Sequence, residues 1–184
     1  MLQMVRAHGW DRNLTERKQL KIRVEHNVNS TFYSRYTFYD LGYNFRTTEI
    51  NGFIGNTQMK YIDEIINKRK NNFLKIATSI YKNINRYYPI KYDHIDFISN
   101  FAVPVICKSR KIRNELVEKC KDKIEIRPIV GGDMVLQPFF KKYVNDFMGD
   151  NLNAKIIHEQ GLYFGNNPEL TAKEIQEIIH IFTS

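Results

Sequence analysis

The sequence predicts a mixed α/β fold in which two helices precede a small lobe of alternating strands and helices. Three observations lead to this prediction. Apolar residues recur every three or four positions from Ile62 to Ile80, which is the period of an amphipathic helix. After Pro89, apolar β-branched runs alternate with amphipathic segments. Thr171 and Glu174 form a capping-box pattern that predicts the start of a terminal helix.

The first half of the chain carries fewer regular signals. Residues 1–14 resemble the end of a larger element, and residues 15–40 are polar and then aromatic, so we expect a short strand or an extended loop there. A helix is expected from Thr47 or Thr48 as N-cap. The three-residue spacing of Gly52 and Gly55 predicts the close approach of another backbone. A second, longer helix then continues to about Asn85.

The second half predicts a compact lobe. Strands are expected at 97–107, 124–130 and 161–165, and helices at 111–120, 138–148, 153–160 and 171–182. Pro104 is expected at an edge or a bulge, since proline donates no hydrogen bond to a sheet. Neither GxGxxG nor a P-loop follows any of these strands, so the lobe is not predicted to be a nucleotide-binding sheet.

Composition is that of an ordinary globular protein. The 184 residues are 42% hydrophobic and 26% charged, without an apolar run of membrane-spanning length or a leader pattern. A cytoplasmic location and no membrane partner are therefore expected. Cys107 and Cys120 lack zinc-ligand spacing, and neither His94 nor His180 belongs to a grouping of Asp, Glu or Cys with metal-ligand spacing, so no metal site is predicted.

The formal charge of +8 raises the question of a nucleic-acid partner. The basic residues lie mainly in segments 17–23, 68–75 and 108–123, mixed with acidic residues and asparagine at helical spacing. Solvated helix faces explain that pattern at least as well. The sequence also lacks an RNA-binding aromatic signature and zinc-finger spacing, so nucleic-acid binding is disfavoured.

Taken alone, the residues give no complete catalytic set. No GxSxG motif, Ser/Lys pair or carboxylate pair at helical spacing indicates nucleophilic or glycosidase chemistry. His8, beside Gly9, and His158, beside two isoleucines, favour structural histidines over catalytic ones. No catalytic residue is therefore predicted.

The segment 127–139, RPIVGGDMVLQPF, is open to two interpretations. Its backbone amides, Asp133 and Gln137 suit a loop that converges on a polar ligand. A glycine-rich turn before a helix that begins at Pro138 is the simpler interpretation, and composition alone favours it.

Four separated blocks resemble the carboxyl-terminal half of the DegT/DnrJ/EryC1/StrS family. They are RAHGW (6–10), LGYNFRTTEINGFIGNTQMKYIDEIINKR (41–69), IEIRPIVGGDMVLQPFF (124–140) and NAKIIHEQGLYFGN (153–166). The family comprises fold-type I, pyridoxal-phosphate enzymes that aminate or dehydrate nucleotide-linked keto sugars. The resemblance implies the end of a large cofactor domain (1–46), bridging helices (47–88) and a small carboxyl-terminal domain with a small sheet (89–184).

The resemblance also implies site residues. Asn44 of the GYN block would reach across a dimer interface to the cofactor phosphate, and Arg46 would help to hold phosphate or diphosphate. The loop would line the sugar side of the pocket through Arg127, Gly131, Gly132, Asp133 and Gln137. The GGDxxxQP pattern, with the late GxxxGN strand, looks closer to the 3-dehydrase and perosamine-type branches than to the average aminotransferase. Asp133 departs from the asparagine that is usual in those branches.

In the family, the cofactor-anchoring lysine or histidine precedes the HG block, at which this sequence starts. The resemblance therefore implies a truncated chain that would not bind pyridoxal phosphate or act as an enzyme alone. Three hypotheses remain open: a fragment of a sugar aminotransferase or dehydrase, an interaction module that completes a separately encoded amino-terminal half, or a basic nucleic-acid-binding protein. Amination and dehydration also remain open.

Overall fold

The computed structural model describes residues 2–45, 49–145, 149 and 151–184. The α-helices are α1 (Leu2–Val5), α2 (Glu16–Glu25), α3 (Glu49–Gln58), α4 (Ile62–Ile80), α5 (Arg110–Cys120), α6 (Pro138–Tyr143), α7 (Leu152–Gln160) and α8 (Ala172–Thr183). The strands are β1 (Tyr87–Tyr88), β2 (Ala102–Cys107), β3 (Ile126–Arg127) and β4 (Gly161–Gly165). Short 3-10 turns occupy Tyr33–Tyr36, Met59–Tyr61 and Met134–Leu136.

The chain divides into two compact units. The first unit comprises Met1–Glu49 and Arg127–Glu159, and the second comprises Ile50–Ile126 and Gln160–Ser184. The division into 1–46, 47–88 and 89–184 stays a prediction. Among the described helices, none combines the length and the apolar character that crossing a membrane requires.

A small antiparallel sheet confirms the predicted mixed α/β class. Its strand order is β1-β2-β4-β3, with β2 antiparallel to both β1 and β4. Pro104 lies within β2, opposite Tyr163 of β4. It is tolerated there because β1 pairs only with Ile106 and Cys107, so β2 has a free edge at Pro104. The Tyr81 hydroxyl donates to the Pro104 carbonyl at 2.7 Å.

The core of the second unit forms where two amphipathic helices meet this sheet. Helices α4 and α8 bury apolar residues three and four positions apart, as the periodicity predicts. Phe164 of β4 meets Phe182 of α8 with ring centroids 4.8 Å apart. Thr171 and Glu174 form the predicted capping box at the start of α8. The fully buried members of this core include Ile76, Ile80, Val103, Val105, Leu162 and Phe182.

Asn166, which follows β4, fastens three segments of the second unit. Its side chain is 1% exposed, and its Nδ2 donates to the carbonyl of Arg69 at 3.0 Å and to that of Asn100 at 2.9 Å. Its backbone N–H donates to the Phe101 carbonyl at 2.7 Å. The GN pair at the end of the GLYFGN block therefore has a structural role.

Residues 15–40 do not form the expected strand or extended loop, because α2 occupies Glu16–Glu25 and a 3-10 turn occupies Tyr33–Tyr36. Long unbranched side chains in ERKQLK give α2 a high helix propensity, and Glu16 lies favourably in its first turn. None of its residues is buried. The helix therefore lacks the apolar period on which the expectation relied.

Several element ends also differ from the prediction. Strand 97–107 begins only at Ala102, and strand 124–130 shortens to Ile126–Arg127 before Pro128. Helix α4 ends at Ile80, and α6 ends at Tyr143 within the predicted 138–148. The N-cap predicted at Thr47 or Thr48 lies outside the described residues. No described atom lies within 4 Å of a Cβ built on Gly52 or Gly55, so the predicted close approach is not found within the described chain.

Candidate functional site

The RAHGW and LGYN blocks form one backbone ladder in the first unit. The His8 N–H donates to the Tyr43 carbonyl at 3.0 Å, and the Tyr43 N–H donates to that of Val5 at 2.6 Å. Bridges also pair Ala7 with Asn44 and Trp10 with Phe38. Two blocks that are more than 30 residues apart in the sequence therefore support each other directly.

The glycines of these two blocks make this contact possible. Gly9 has a φ of +78°, and a Cβ built on it would lie 1.7 Å from the carbonyl oxygen of Asp40. A Cβ on Gly42 would lie 2.4 Å from the backbone nitrogen of Gly9. Neither position has room for a side chain, which the sequence reasoning did not anticipate.

Asn44 is presented at the end of this ladder. Its backbone is fixed by the bridge to Ala7 and by the next N–H, of Phe45, which donates to the Arg6 carbonyl at 3.3 Å. The Asn44 residue is exposed, and no side-chain hydrogen bond of Asn44 is found within the described part of the chain. A fixed backbone with an exposed amide suits a residue that binds an external anion. Arg46 lies outside the described residues.

An ion pair with a buried carboxylate supports the other end of the ladder. Asp11 is fully buried, and its Oδ2 accepts a hydrogen bond from Nε of Arg23 on α2 at 2.6 Å. This hydrogen bond raises the pKa of Arg23. Burial raises the pKa of the Tyr39 phenol, and the charge of Asp11 adds to that increase. Tyr39 therefore stays neutral beside the ion pair. Removal of either partner would leave the charge of the other uncompensated.

Gln137, which is 5% exposed, holds the loop of segment 127–139 through its side chain. Its Oε1 accepts a hydrogen bond from the Phe38 N–H at 3.0 Å, and its Nε2 donates to the Gly131 carbonyl at 2.8 Å. Gln137 therefore joins the loop to the segment that leads into LGYN. Helix α6 then begins at Pro138, as the simpler sequence interpretation requires.

Asp133 is likewise engaged within the loop and is 2% exposed. Its Oδ1 accepts from the Val135 N–H at 3.1 Å, and its Oδ2 accepts from Asn151 Nδ2 at 2.8 Å. Its own N–H approaches Nδ1 of His158 at 3.4 Å. The side chains of Asp133 and Gln137 thus shape the loop, and contact with a substrate stays a prediction for both.

The loop also forms one wall of a cleft of about 360 Å³ within the first unit. Gly131 and Gln137 line it, whereas Arg127, Gly132, Asp133 and Asn44 do not. Sequence reasoning missed the opposite wall, whose signal was the aromatic run TFYSRYTFY. Tyr33 from that run stacks on His158 with centroids 4.7 Å apart and planes within 10°. The described residues contain no group of three His, Cys, Asp or Glu that could hold a metal ion.

Comparison with known proteins agrees with these blocks. The model of the DegT/DnrJ/EryC1/StrS aminotransferase family matches residues 1–183. The chain belongs to this family. The family includes pyridoxal-phosphate-dependent aminotransferases and dehydratases.

Two relatives are GDP-4-keto-6-deoxy-D-mannose 3-dehydratases. That of Yersinia pseudotuberculosis is 30% identical over 98% of this chain and 46% of its own length. That of Escherichia coli O55:H7 is 30% identical over 91% of this chain and 42% of its own length. The chain thus spans about half the length of these family members.

A solved structure of the same kind of enzyme shows the same fold. The E. coli GDP-4-keto-6-deoxy-D-mannose-3-dehydratase with bound hydrated PLP superposes with a TM-score of 0.59 and 24% identity. The match covers 99% of this chain and 46% of that one. The predicted fold, part of a pyridoxal-phosphate-dependent transferase, is therefore confirmed.

Proposed function

We propose that this chain forms the carboxyl-terminal part of a pyridoxal-phosphate-dependent enzyme that acts on nucleotide-linked 4-keto-6-deoxy sugars in polysaccharide biosynthesis. The observation that carries the proposal is the agreement of the family match over residues 1–183 with two 3-dehydratase relatives. Their named substrate, a GDP-linked keto sugar, defines the substrate class proposed here. Dehydration at C3 is preferred to amination because both relatives are dehydratases.

The residues present fit a role in holding the cofactor. When bound, pyridoxal phosphate supplies an electron sink for bond cleavage next to an amine nitrogen. Asn44 would contribute its amide N–H groups to the cofactor phosphate, since its side chain is exposed and its backbone is fixed by the ladder. Arg46, two residues further, would add a guanidinium that matches phosphate oxygens in pairs.

The site is proposed to be shared with another polypeptide segment. Either a second copy of the family fold in a homodimer or a complementary amino-terminal half would supply the groups that bind the cofactor ring. The exposed apolar side chains of α3, Ile50, Phe53 and Ile54, offer a surface for such a contact.

A covalent fusion tests this function. The part of the Yersinia pseudotuberculosis enzyme that this chain does not match is joined to residue 1, and the fusion is supplied with pyridoxal phosphate, glutamate and GDP-4-keto-6-deoxy-D-mannose. We expect consumption of the sugar and a product that lacks the C3 hydroxyl, identified by mass spectrometry. A folded fusion that consumes no substrate would contradict the proposal.

A further inference from the structure

The second unit carries a basic surface that the proposed function does not use. It is formed by two segments that are adjacent in the fold, 82–88 and 108–114. The Lys108 N–H donates to the Arg86 carbonyl at 2.8 Å, and Tyr87 of β1 pairs with Cys107 of β2. The two segments contain no acidic residue and six basic ones: Lys82, Arg86, Lys108, Arg110, Lys111 and Arg113.

The positive charge of this basic surface exceeds the acidic charge that accompanies it. Glu115, which follows the second segment, pairs with Arg86 at 3.4 Å. With Glu115 included, the formal charge is still +5, from six basic residues and one acidic residue. Lys68 of α4 differs, because it lies 2.9 Å from Glu64 and 3.2 Å from Glu169. A charge-balanced, solvated helix face therefore explains Lys68 but does not explain the basic surface.

Helix α5 begins within the basic surface, where its first turn opposes the helix dipole. The Ser109 side chain caps the helix by accepting a hydrogen bond from the Ile112 N–H at 3.2 Å. Arg110 and Lys111 follow, and the first turn contains no acidic residue. Positive side chains are unfavourable at the amino terminus of a helix, whereas Glu174 is favourably placed in α8. The positive charges therefore do not serve α5 itself, and they suit an external anion.

The basic surface also exposes one apolar and one aromatic side chain. Ile84 is 62% exposed in the turn 82–86. Tyr88 is 38% exposed, and Nζ of Lys108 lies 3.7 Å from the centre of its ring. In membrane-bound proteins, tyrosine rings lie at the level of the lipid headgroups, and apolar side chains enter the boundary with the acyl chains. A nucleic-acid phosphate backbone would use the charges but would leave Ile84 in water.

From these observations, we propose that the basic surface docks reversibly on a bilayer that contains anionic lipids, with Ile84 entering the headgroup region. Lysine and arginine side chains meet the lipid phosphates, and Tyr88 lies at the level of the headgroups. The sequence-based expectation of no membrane partner rested on spanning runs and leader patterns, and adsorption to a surface requires neither. The inference does not depend on the proposed enzymatic function.

Co-sedimentation of the whole chain with unilamellar vesicles tests the proposal. One set of vesicles contains phosphatidylcholine alone, and the other contains equal amounts of phosphatidylcholine and phosphatidylglycerol. We expect binding to the anionic vesicles to be tighter by about tenfold or more, and to weaken as the salt concentration rises, because salt screens surface charges. Equal binding to both sets of vesicles, or binding to neither, would overturn the proposal.

Two matched double variants test whether the basic surface is the part that binds. Lys108→Gln with Lys111→Gln removes two exposed charges from it, whereas Lys121→Gln with Lys123→Gln removes two exposed charges beyond the other end of α5. The ends of this helix are about 16 Å apart, which is about twice the Debye length at physiological salt. The first variant should bind anionic vesicles more weakly by about tenfold or more, and the second by less than about threefold. Equal losses would overturn the proposal, because binding would then follow net charge alone.

A third variant separates a lipid surface from a nucleic-acid surface. Ile84→Ser removes the exposed apolar side chain and keeps every charge, so it should weaken binding to anionic vesicles by about fivefold. Ile50→Ser, at a 69% exposed position in α3, is the control and should bind as the parent does. Unchanged vesicle binding by a folded Ile84→Ser variant would overturn the proposal. Binding of a short DNA duplex without binding of vesicles would also overturn it and would assign the basic surface to nucleic acid.

Discussion

At the scale of single residues, Gly9 is the position in the ladder with the least room for a side chain. A methyl group there would overlap the Asp40 carbonyl, and the backbone φ of +78° is already unfavourable for alanine. We expect Gly9→Ala to lower the free energy of unfolding by about 2–3 kcal/mol. The fluorescence of Trp10, the only tryptophan, reports unfolding in urea next to the substituted site.

Gly52→Ala is the matched control for that substitution. Gly52 lies in α3, and no described atom lies within 4 Å of its built Cβ. In a helix, alanine is more favourable than glycine by up to about 1 kcal/mol, so the stability of this variant should be unchanged or higher. Equal destabilisation by both substitutions would contradict the close packing of the HG and GYN blocks.

Asp40, which joins the LGYN segment to α6, contributes to stability through its charge. Its carboxylate accepts hydrogen bonds from Lys142 and from the Tyr143 hydroxyl, and the Lys142 bond is the main reason that the pKa of Asp40 is lowered. A lowered pKa in the folded state means that Asp40 stabilises the fold above its unfolded pKa. That stabilisation is lost as the pH falls through the folded-state pKa.

We expect the difference in free energy of unfolding between Asp40→Asn and the unsubstituted chain to depend on pH. Asp40→Asn should be less stable than the unsubstituted chain at neutral pH, and the difference should shrink as the pH is lowered below about 4. Urea titrations at several pH values measure it. Asp96→Asn, at an exposed position, is the control and should match the unsubstituted chain throughout. If Asp40→Asn were less stable by the same amount at every pH, the ionised carboxylate would be excluded as the cause of the difference in stability.

At the scale of elements, Asn166, directly after β4, ties the strand to α4. Asn166→Asp would replace an N–H donor with a carboxylate oxygen that faces the carbonyls of Arg69 and Asn100. We expect a loss of about 3 kcal/mol in the free energy of unfolding, because a buried charge would lack donors. Circular dichroism in urea measures it.

The neighbouring residue provides a control of the same chemistry. Asn167 is exposed, and its Oδ1 accepts a hydrogen bond from the Glu169 N–H, which a carboxylate can also do. Asn167→Asp should therefore change stability by less than about 0.5 kcal/mol. Similar losses for both variants would show that the Asn166 bonds do not hold the element.

Elements with a strong apolar period were predictable, and elements without one were not. Helices α4 and α8 follow from buried residues at helical spacing, and α8 from its capping box. Helix α2 was missed because it buries no residue, so only propensity identifies it. Strand β3 was predicted too long because Pro128 and the positive φ of Val130 end it early, and local backbone geometry is not visible in an apolar pattern.

At the scale of the whole molecule, family blocks identified residues without giving their neighbours. The GGDxxxQP block was expected to face a sugar, yet the Asp133 and Gln137 side chains bond within the first unit. The stacking of Tyr33 on His158 joins positions 125 residues apart, which no local pattern could indicate. Motif resemblance thus singled out the loop, and tertiary contacts were needed to show how its side chains are held.

The central claim is that Asn44 faces the cofactor phosphate in the assembled site. The affinity of the fusion protein for pyridoxal phosphate, measured by equilibrium titration, tests it most directly. Asn44→Asp should weaken binding by about tenfold or more because a carboxylate repels phosphate, while Asn13→Asp, with the same charge change elsewhere, should bind as the parent does. Equal affinity of Asn44→Asp and the parent fusion would contradict the claim.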